Sequence, residues 1–150
     1  MPWALKQQVL WIVRDYERTK REYRRERLEI IEAGGDRAET YTVNGEERRI
    51  YMPSGHNASR TTEDRQMQLA ALEMRPAYRQ MHAVEHARDR VGAELPDMLR
   101  DQLREAIMLS CTDGRRYPFE RLFIAGISRT EFYRFRDEML KAIARELGLW

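Results

Sequence analysis

The stretch Gly126-Ile127-Ser128-Arg129-Thr130-Glu131-Phe132-Tyr133-Arg134-Phe135-Arg136 joins a turn, a helix start and a dense set of basic and aromatic side chains. Gly126 accepts a positive φ, which suits a sharp reversal after a helix. Ser128 is a good N-cap, and Glu131 three residues on completes a capping box that satisfies two orphan amides reciprocally. Ile127, just before the cap, is placed to pack back onto Phe132 as a hydrophobic staple. The first two turns of the helix then offer Arg129, Thr130, Tyr133, Arg134 and Arg136, side chains suited to phosphates and base edges.

Working outward, residues 118–124 read as a short helix, Gly126 as the turn and residues 129–147 as a longer helix. Phe132, Phe135, Met139, Ile143 and Leu147 would form the buried face of that longer helix. Two helices joined by a tight glycine turn, the second basic at its start, make the pattern of a helix-turn-helix over 117–148. The bland reading of the same residues is a helical hairpin with solvated arginines. Local charge favours the first: six arginines stand against two glutamates from 115 to 136, in a chain whose net charge is only +2. Positive charge is placed here rather than spread.

Of 27 basic residues only Lys6, Lys20 and Lys141 are lysine. Arginine's planar fork grips phosphate or guanine bidentately, although an arginine-rich codon usage explains most of such an excess. The 150 residues are enough for one domain, or a small domain with an arm, and 42% are hydrophobic, which supports a helical core. A charged fraction of 35% and a mean hydropathy of −0.77 imply long solvated faces. Cys111 is the single cysteine, so neither an internal disulfide nor a thiolate metal cluster is expected. Without an apolar run of membrane length or a signal-peptide pattern, the chain reads as cytoplasmic.

The N-terminal third has two textures. From Ala4 to Ala33 no proline or glycine interrupts a run of helix formers, and Val9, Val13, Tyr16, Tyr23 and Ile30 recur at four- and three-residue steps. Lys20 and Arg27 fill two slots of the same seam, which argues against a dry coiled coil along its whole length. Two arrangements fit: packing against helices of the same chain, or a dimer through the seam. Gly34-Gly35 would end the helix. Thr40-Tyr41-Thr42-Val43 and Ile50-Tyr51-Met52 then flank Asn44-Gly45, a strong hairpin signal, with Arg48 and Arg49 on the return strand. A lone hairpin is marginal in water and needs a helix or a partner to pack on.

Residues 53–57 read as a loop, and Ser59 or Thr61 as the opening of a second helical region with Met67, Ala70, Ala71 and Met74 as its apolar stripe. Pro76 should kink or split it. Tyr78, Met81, His82, Val84 and Ala87 continue helical spacing. Pro96 suits an N1 position before Leu99, Leu103, Ile107 and Met108, and residues 111–116 turn around Gly114. His82-Ala83-Val84-Glu85-His86 matches the H-x-x-E-H zinc pattern. A hydrolase would require a third ligand and a cleft, neither visible in the sequence, so packed or solvated histidines are expected, with no metal and no cofactor. No phosphate-cradling glycine loop and no nucleophile–base pair appears, and the chain is not expected to be an enzyme.

Ile127-Ser128-Arg129-Thr130-Glu131-Phe132-Tyr133-Arg134, followed by Ala144 and Leu147-Gly148, resembles the C-terminal part of the RinA/ArpU-type transcriptional regulators of phages and prophages. Less specifically, the resemblance extends upstream through Ser59-Arg60-Thr61-Thr62, Ala70 and Leu72 to the turn before Tyr117. It implies a helix-turn-helix similar to region 4 of sigma factors, and activation of late phage genes. The hairpin at Asn44-Gly45 has no place in that pattern.

The expectation is therefore a mostly α-helical bundle with a long N-terminal helix, a small β-hairpin near 40–52 and a C-terminal helix-turn-helix. Residues 1–58 would form an arm and 59–150 the helical region. Arg129, Thr130, Tyr133 and Arg134 would enter the major groove, with Arg115, Arg116, Arg136 and Lys141 on phosphates. The expected partners are double-stranded DNA, RNA polymerase and a second copy of the chain, with no membrane. The alternative is a helical interaction protein of phage assembly or of a polymerase.

Overall fold

The computed structural model describes the backbone of residues 1–33, 37–52 and 58–150, and the side chains of residues 1–33, 44–46 and 62–150. The fold is mostly α-helical, in the order α1 (Trp3–Ala33), β1 (Arg37–Val43), β2 (Glu46–Met52), α2 (Ala58–Glu73), α3 (Pro76–Arg90), α4 (Asp97–Thr112), α5 (Phe119–Leu122) and α6 (Arg129–Glu146). The two strands pair antiparallel, Val43 opposite Glu46 and Arg37 opposite Met52, around Asn44 and Gly45 at φ 56° and 82°. Two positive φ values in a two-residue loop match the right-handed twist of the flanking strands. Gly34, Gly35, the 53–57 loop and the side chains of Arg48, Arg49, Ser59 and Thr61 lie outside the described residues.

The chain divides into two compact units, residues 1–20 with 76–150, and residues 21–75. This differs from the expected boundary between 58 and 59, and α1 shows why. Its buried residues are Val9, Leu10, Val13, Tyr16 and Thr19, all in its first two thirds. Burying apolar area is the main favourable term in folding, so this part of the helix belongs with the C-terminal core. The expected seam is followed as far as Tyr16; Tyr23 and Ile30 are only half-buried, and Trp3 at the start of the helix is exposed.

In the first unit, α6 packs against α3, α4 and α5. The core joins Tyr78, Met81, Ala83, Val84 and Ala87 of α3 to Leu103, Ala106, Ile107 and Cys111 of α4. From α6 come Phe132, Phe135, Met139, Leu140, Ile143 and Ala144. The expected face of α6 is thus buried except for Leu147, which is half-buried at the C-cap, while Leu140 and Ala144 widen the stripe. Pro96 occupies the N-cap of α4 rather than N1, and its carbonyl accepts from the Arg100 amide at 2.8 Å.

A polar cluster fastens α1 to α3 within this unit. The Tyr16 hydroxyl donates to Glu85 Oε1 at 2.8 Å, and Lys20 Nζ donates to both groups, each at 2.8 Å. Burial pushes the Glu85 carboxyl up, but the hydrogen bonds from Lys20 and Tyr16 outweigh it and leave its pKa lowered. Lys20, read from the sequence as a defect in the seam, is therefore held at half-buried depth by a carboxylate.

In the second unit, the Tyr23 hydroxyl donates to Glu73, and Arg75 pairs with Glu26. Pro76 does split the helical region: α2 ends at Glu73 and α3 begins at Pro76, and the halves belong to different units. The expected stripe of α2 is wrong. Met67 is 70% exposed and Met74 68%, Ala70 and Ala71 are exposed, and the inward side carries Leu72 with half-buried Leu69 and Arg65. A helix rich in alanine and methionine shows two weak stripes to a periodicity count, and packing selects the one with the two leucines.

Candidate functional site

The start of α6 is built as its residues require. Ser128 is extended, at φ −75° and ψ 161°; its hydroxyl accepts from the Glu131 amide at 3.2 Å, and Glu131 Oε2 accepts from the Ser128 amide at 3.2 Å. Both halves of the capping box are therefore in place. Ile127 and Phe132 are buried, and Phe132 packs against Phe119 with ring centroids 5.5 Å apart. Ahead of the cap, Gly126 has φ 90°. The helix before it is shorter than the seven residues expected: α5 is the single turn Phe119–Leu122, ended by Phe123 in the left-handed region at φ 50°. A non-glycine residue there costs roughly 1–2 kcal/mol and stops the helix outright.

The expected contact residues are not all equivalent. Arg129, Thr130 and Arg134 are exposed, and Thr130 and Arg134, one turn apart, share the solvent face of the helix. Arg129 pairs with Glu120 of α5 across the turn, and Arg134 Nε lies 3.9 Å from Glu138 Oε1. Both arginine side chains remain more than half exposed, at 64% and 61%, so the pairs are weak and exchangeable. Tyr133 is half-buried, edge-on to Phe132, with Arg129 over its ring at 5.5 Å.

Arg136 and Lys141 are placed differently. Arg136 is half-buried, its Nε has no hydrogen-bond partner among the described residues, and it lies over the Tyr133 ring at 6.0 Å. Lys141 Nζ pairs with Asp137 Oδ2 at 2.8 Å and lies 5.8 Å from the Trp150 ring. The hydrogen bond from Lys141, together with its charge and that of Lys6, lowers the Asp137 pKa despite burial. At 1.5 Å rise per residue Lys141 is about 18 Å along the helix from Arg129. It is not gathered with the N-terminal set. Arg115 and Arg116 are exposed in the turn after α4, Arg116 over the Tyr117 ring at 5.4 Å.

The two histidines of the H-x-x-E-H match face carboxylates. His82 Nδ1 is 3.7 Å from Glu85 Oε2, His86 Nδ1 is 2.6 Å from Glu146 Oε1, and the rings are stacked with centroids 6.3 Å apart. Among the described residues no three His, Cys, Asp or Glu side chains converge on one point. Nor, among those residues, is any helix long and apolar enough to cross a membrane.

Glu120, the partner of Arg129, escapes a reading of the sequence because no helical spacing links it to α6. The same holds for Arg14 of α1, whose Nε donates to the Cys111 carbonyl at 3.2 Å across 97 residues of sequence. No family model matches the chain, and neither curated proteins nor solved structures include a significant match.

Proposed function

We propose that this protein is a sequence-specific DNA-binding transcriptional regulator of phage or prophage genes, of the RinA/ArpU type, and that α5, the Gly126 turn and α6 act as its helix-turn-helix. One observation carries the reading: a fully capped helix start presents Arg129, Thr130 and Arg134 to solvent at the end that enters a major groove in such units. Arg115 and Arg116, exposed in the turn after α4, suit phosphates. Tyr133 stiffens the set by lying between Arg129 and Arg136. On this reading the protein works in the cytoplasm of a bacterial host. Leu28 and Ile31, exposed on the later part of α1, provide apolar surface for a second copy or for RNA polymerase.

Selection of bound fragments from a random DNA pool should return a consensus. Arg134→Ala should then weaken binding to that consensus by about 1–3 kcal/mol if the residue reads a base. Unchanged gel-shift affinity across Arg129, Arg134 and Arg136 alanine variants would sink the proposal.

A second reading, a protein-interaction module of a polymerase or phage particle, is favoured by Phe123, which is 89% exposed beside Leu122 and Leu109. Salt separates the two, because DNA affinity falls steeply with ionic strength and an apolar contact does not.

A further inference from the structure

A line of contacts runs from the start of α6 back to the first helix of the chain. Arg129 and Arg136 lie on the same Tyr133 ring, and Arg136 in turn lies beside the Cys111 thiol near the end of α4. There the Cys111 carbonyl accepts from Arg14 Nε. This is the negative end of a helix, with unsatisfied carbonyls, and it orients an arginine without consuming its charge. Arg14 also lies 5.8 Å from the centroid of the Trp11 ring, an indole 66% exposed on the outer side of α1.

The charges around this point are unequal in a telling way. The nearby carboxylates are engaged: Asp137 with Lys6 and Lys141, Asp15 with Arg18, Glu120 with Arg129. Asp113 accepts from the Arg116 amide. Arg14, Arg115 and Arg116 are exposed, and none forms an ion pair among the described residues. Among the described residues Arg14 donates only through Nε, which leaves the terminal donors of its guanidinium for an outside acceptor. Arg14 at the end of α4 and the exposed Arg115 and Arg116 of the turn that follows, none in an ion pair among the described residues, make a surface for a polyanion, and Arg14 is linked to the start of α6 through Cys111, Arg136 and Tyr133. A bidentate arginine held by a carbonyl and an aromatic face is well suited to a phosphodiester.

Resting on the reading of α6 as the DNA-entering helix, we propose that Arg14 of α1, steadied by Trp11 and the Cys111 carbonyl, contacts the phosphate backbone together with Arg115 and Arg116. The first helix is then part of the DNA-binding surface and not only a structural or dimer-forming element. Such a contact positions the duplex and carries no sequence information.

The test is the salt dependence of binding, measured by fluorescence anisotropy on the selected duplex and on an unrelated one. Arg14→Gln keeps a donor for the Cys111 carbonyl and removes the charge; Arg14→Lys keeps the charge. Arg14→Gln should lower the slope of log affinity against log salt by about 1 on both duplexes, with Arg14→Lys close to the unsubstituted protein. Between 50 and 200 mM salt the variant would lose roughly threefold less affinity than the parent. Thermal melts of all three proteins check that the fold is kept. A slope unchanged in a folded Arg14→Gln protein, or a loss confined to the selected sequence, overturns the role of Arg14 while leaving that of α6 intact. If the unsubstituted protein binds neither duplex, the reading of α6 falls, and the Arg14 contact with it.

Discussion

Ser128 shows how much a single side chain can specify. Its hydroxyl and the Glu131 carboxylate satisfy two amides that no helical bond reaches, and they do so where the helix must begin for Arg129, Thr130 and Arg134 to face outward. Ser128→Ala should lower stability by about 1 kcal/mol in a urea titration, and, on the proposed function, should also weaken DNA binding by fraying the first turn. Gly126 acts through the backbone alone. A Cβ there would meet Leu99 Cδ2 at 3.6 Å, an ordinary contact, so any cost of Gly126→Ala comes from φ 90°. A loss of about 1 kcal/mol or more is expected, since a left-handed conformation penalises a side chain. No measurable change in the midpoint of unfolding would contradict that account.

At the scale of elements, α6 is held by its buried stripe and α1 by a smaller stripe plus a polar clasp. Phe132 is completely buried against Phe119, and Phe132→Ala should cost roughly 3–5 kcal/mol, enough to unfold a marginal domain. The clasp of Tyr16, Lys20 and Glu85 predicts an acid sensitivity. Glu85 titrates below its ordinary value of 4.5 in the folded protein, so its stabilisation is present above that value and is lost as pH falls through the lowered pKa. Glu85→Gln should reduce the melting temperature at neutral pH and flatten its decline below pH 4.5. An identical acid limb in the two proteins would show that other carboxylates control it. Burial raises the Tyr16 pKa, and the bonds to Glu85 and Tyr16 raise that of Lys20, so the clasp stays closed through neutral and mildly alkaline conditions.

For the whole molecule, the shared core of the chain's two ends is the governing fact. A fragment of residues 76–150 lacks Val9, Leu10, Val13 and Tyr16, side chains whose burial contributes about 1.5–3 kcal/mol each. That sum is comparable to the full stability of an ordinary domain, so the fragment should melt without a cooperative transition by circular dichroism. Cooperative unfolding of the isolated fragment would show that α1 is dispensable to the core. On the proposed function, an N-terminal helix that both completes the core and carries Arg14 would make folding and DNA contact depend on the same twenty residues.

What could be read from residue order alone was local. The N-terminal helix, the capping box at Ser128, the turn at Gly126 and the face of Phe132, Phe135, Met139 and Ile143 follow from propensity, capping chemistry and a 3.6-residue period, all of which act within a few turns. The stripe of α2 is not legible in the sequence, because its two candidate faces differ little in hydrophobicity and only packing chooses between them. The one-turn length of α5 depends on the left-handed Phe123, which no propensity predicts. Tertiary structure alone decided that residues 1–20 join the C-terminal unit, that Lys20 meets Glu85, that Arg129 meets Glu120 and that Arg14 caps Cys111. Most of these partners lie tens of residues apart, and even the nearest pair is separated by a turn. Their meeting is set by how amphipathic faces bury one another, a property of the assembled chain and not of any segment within it.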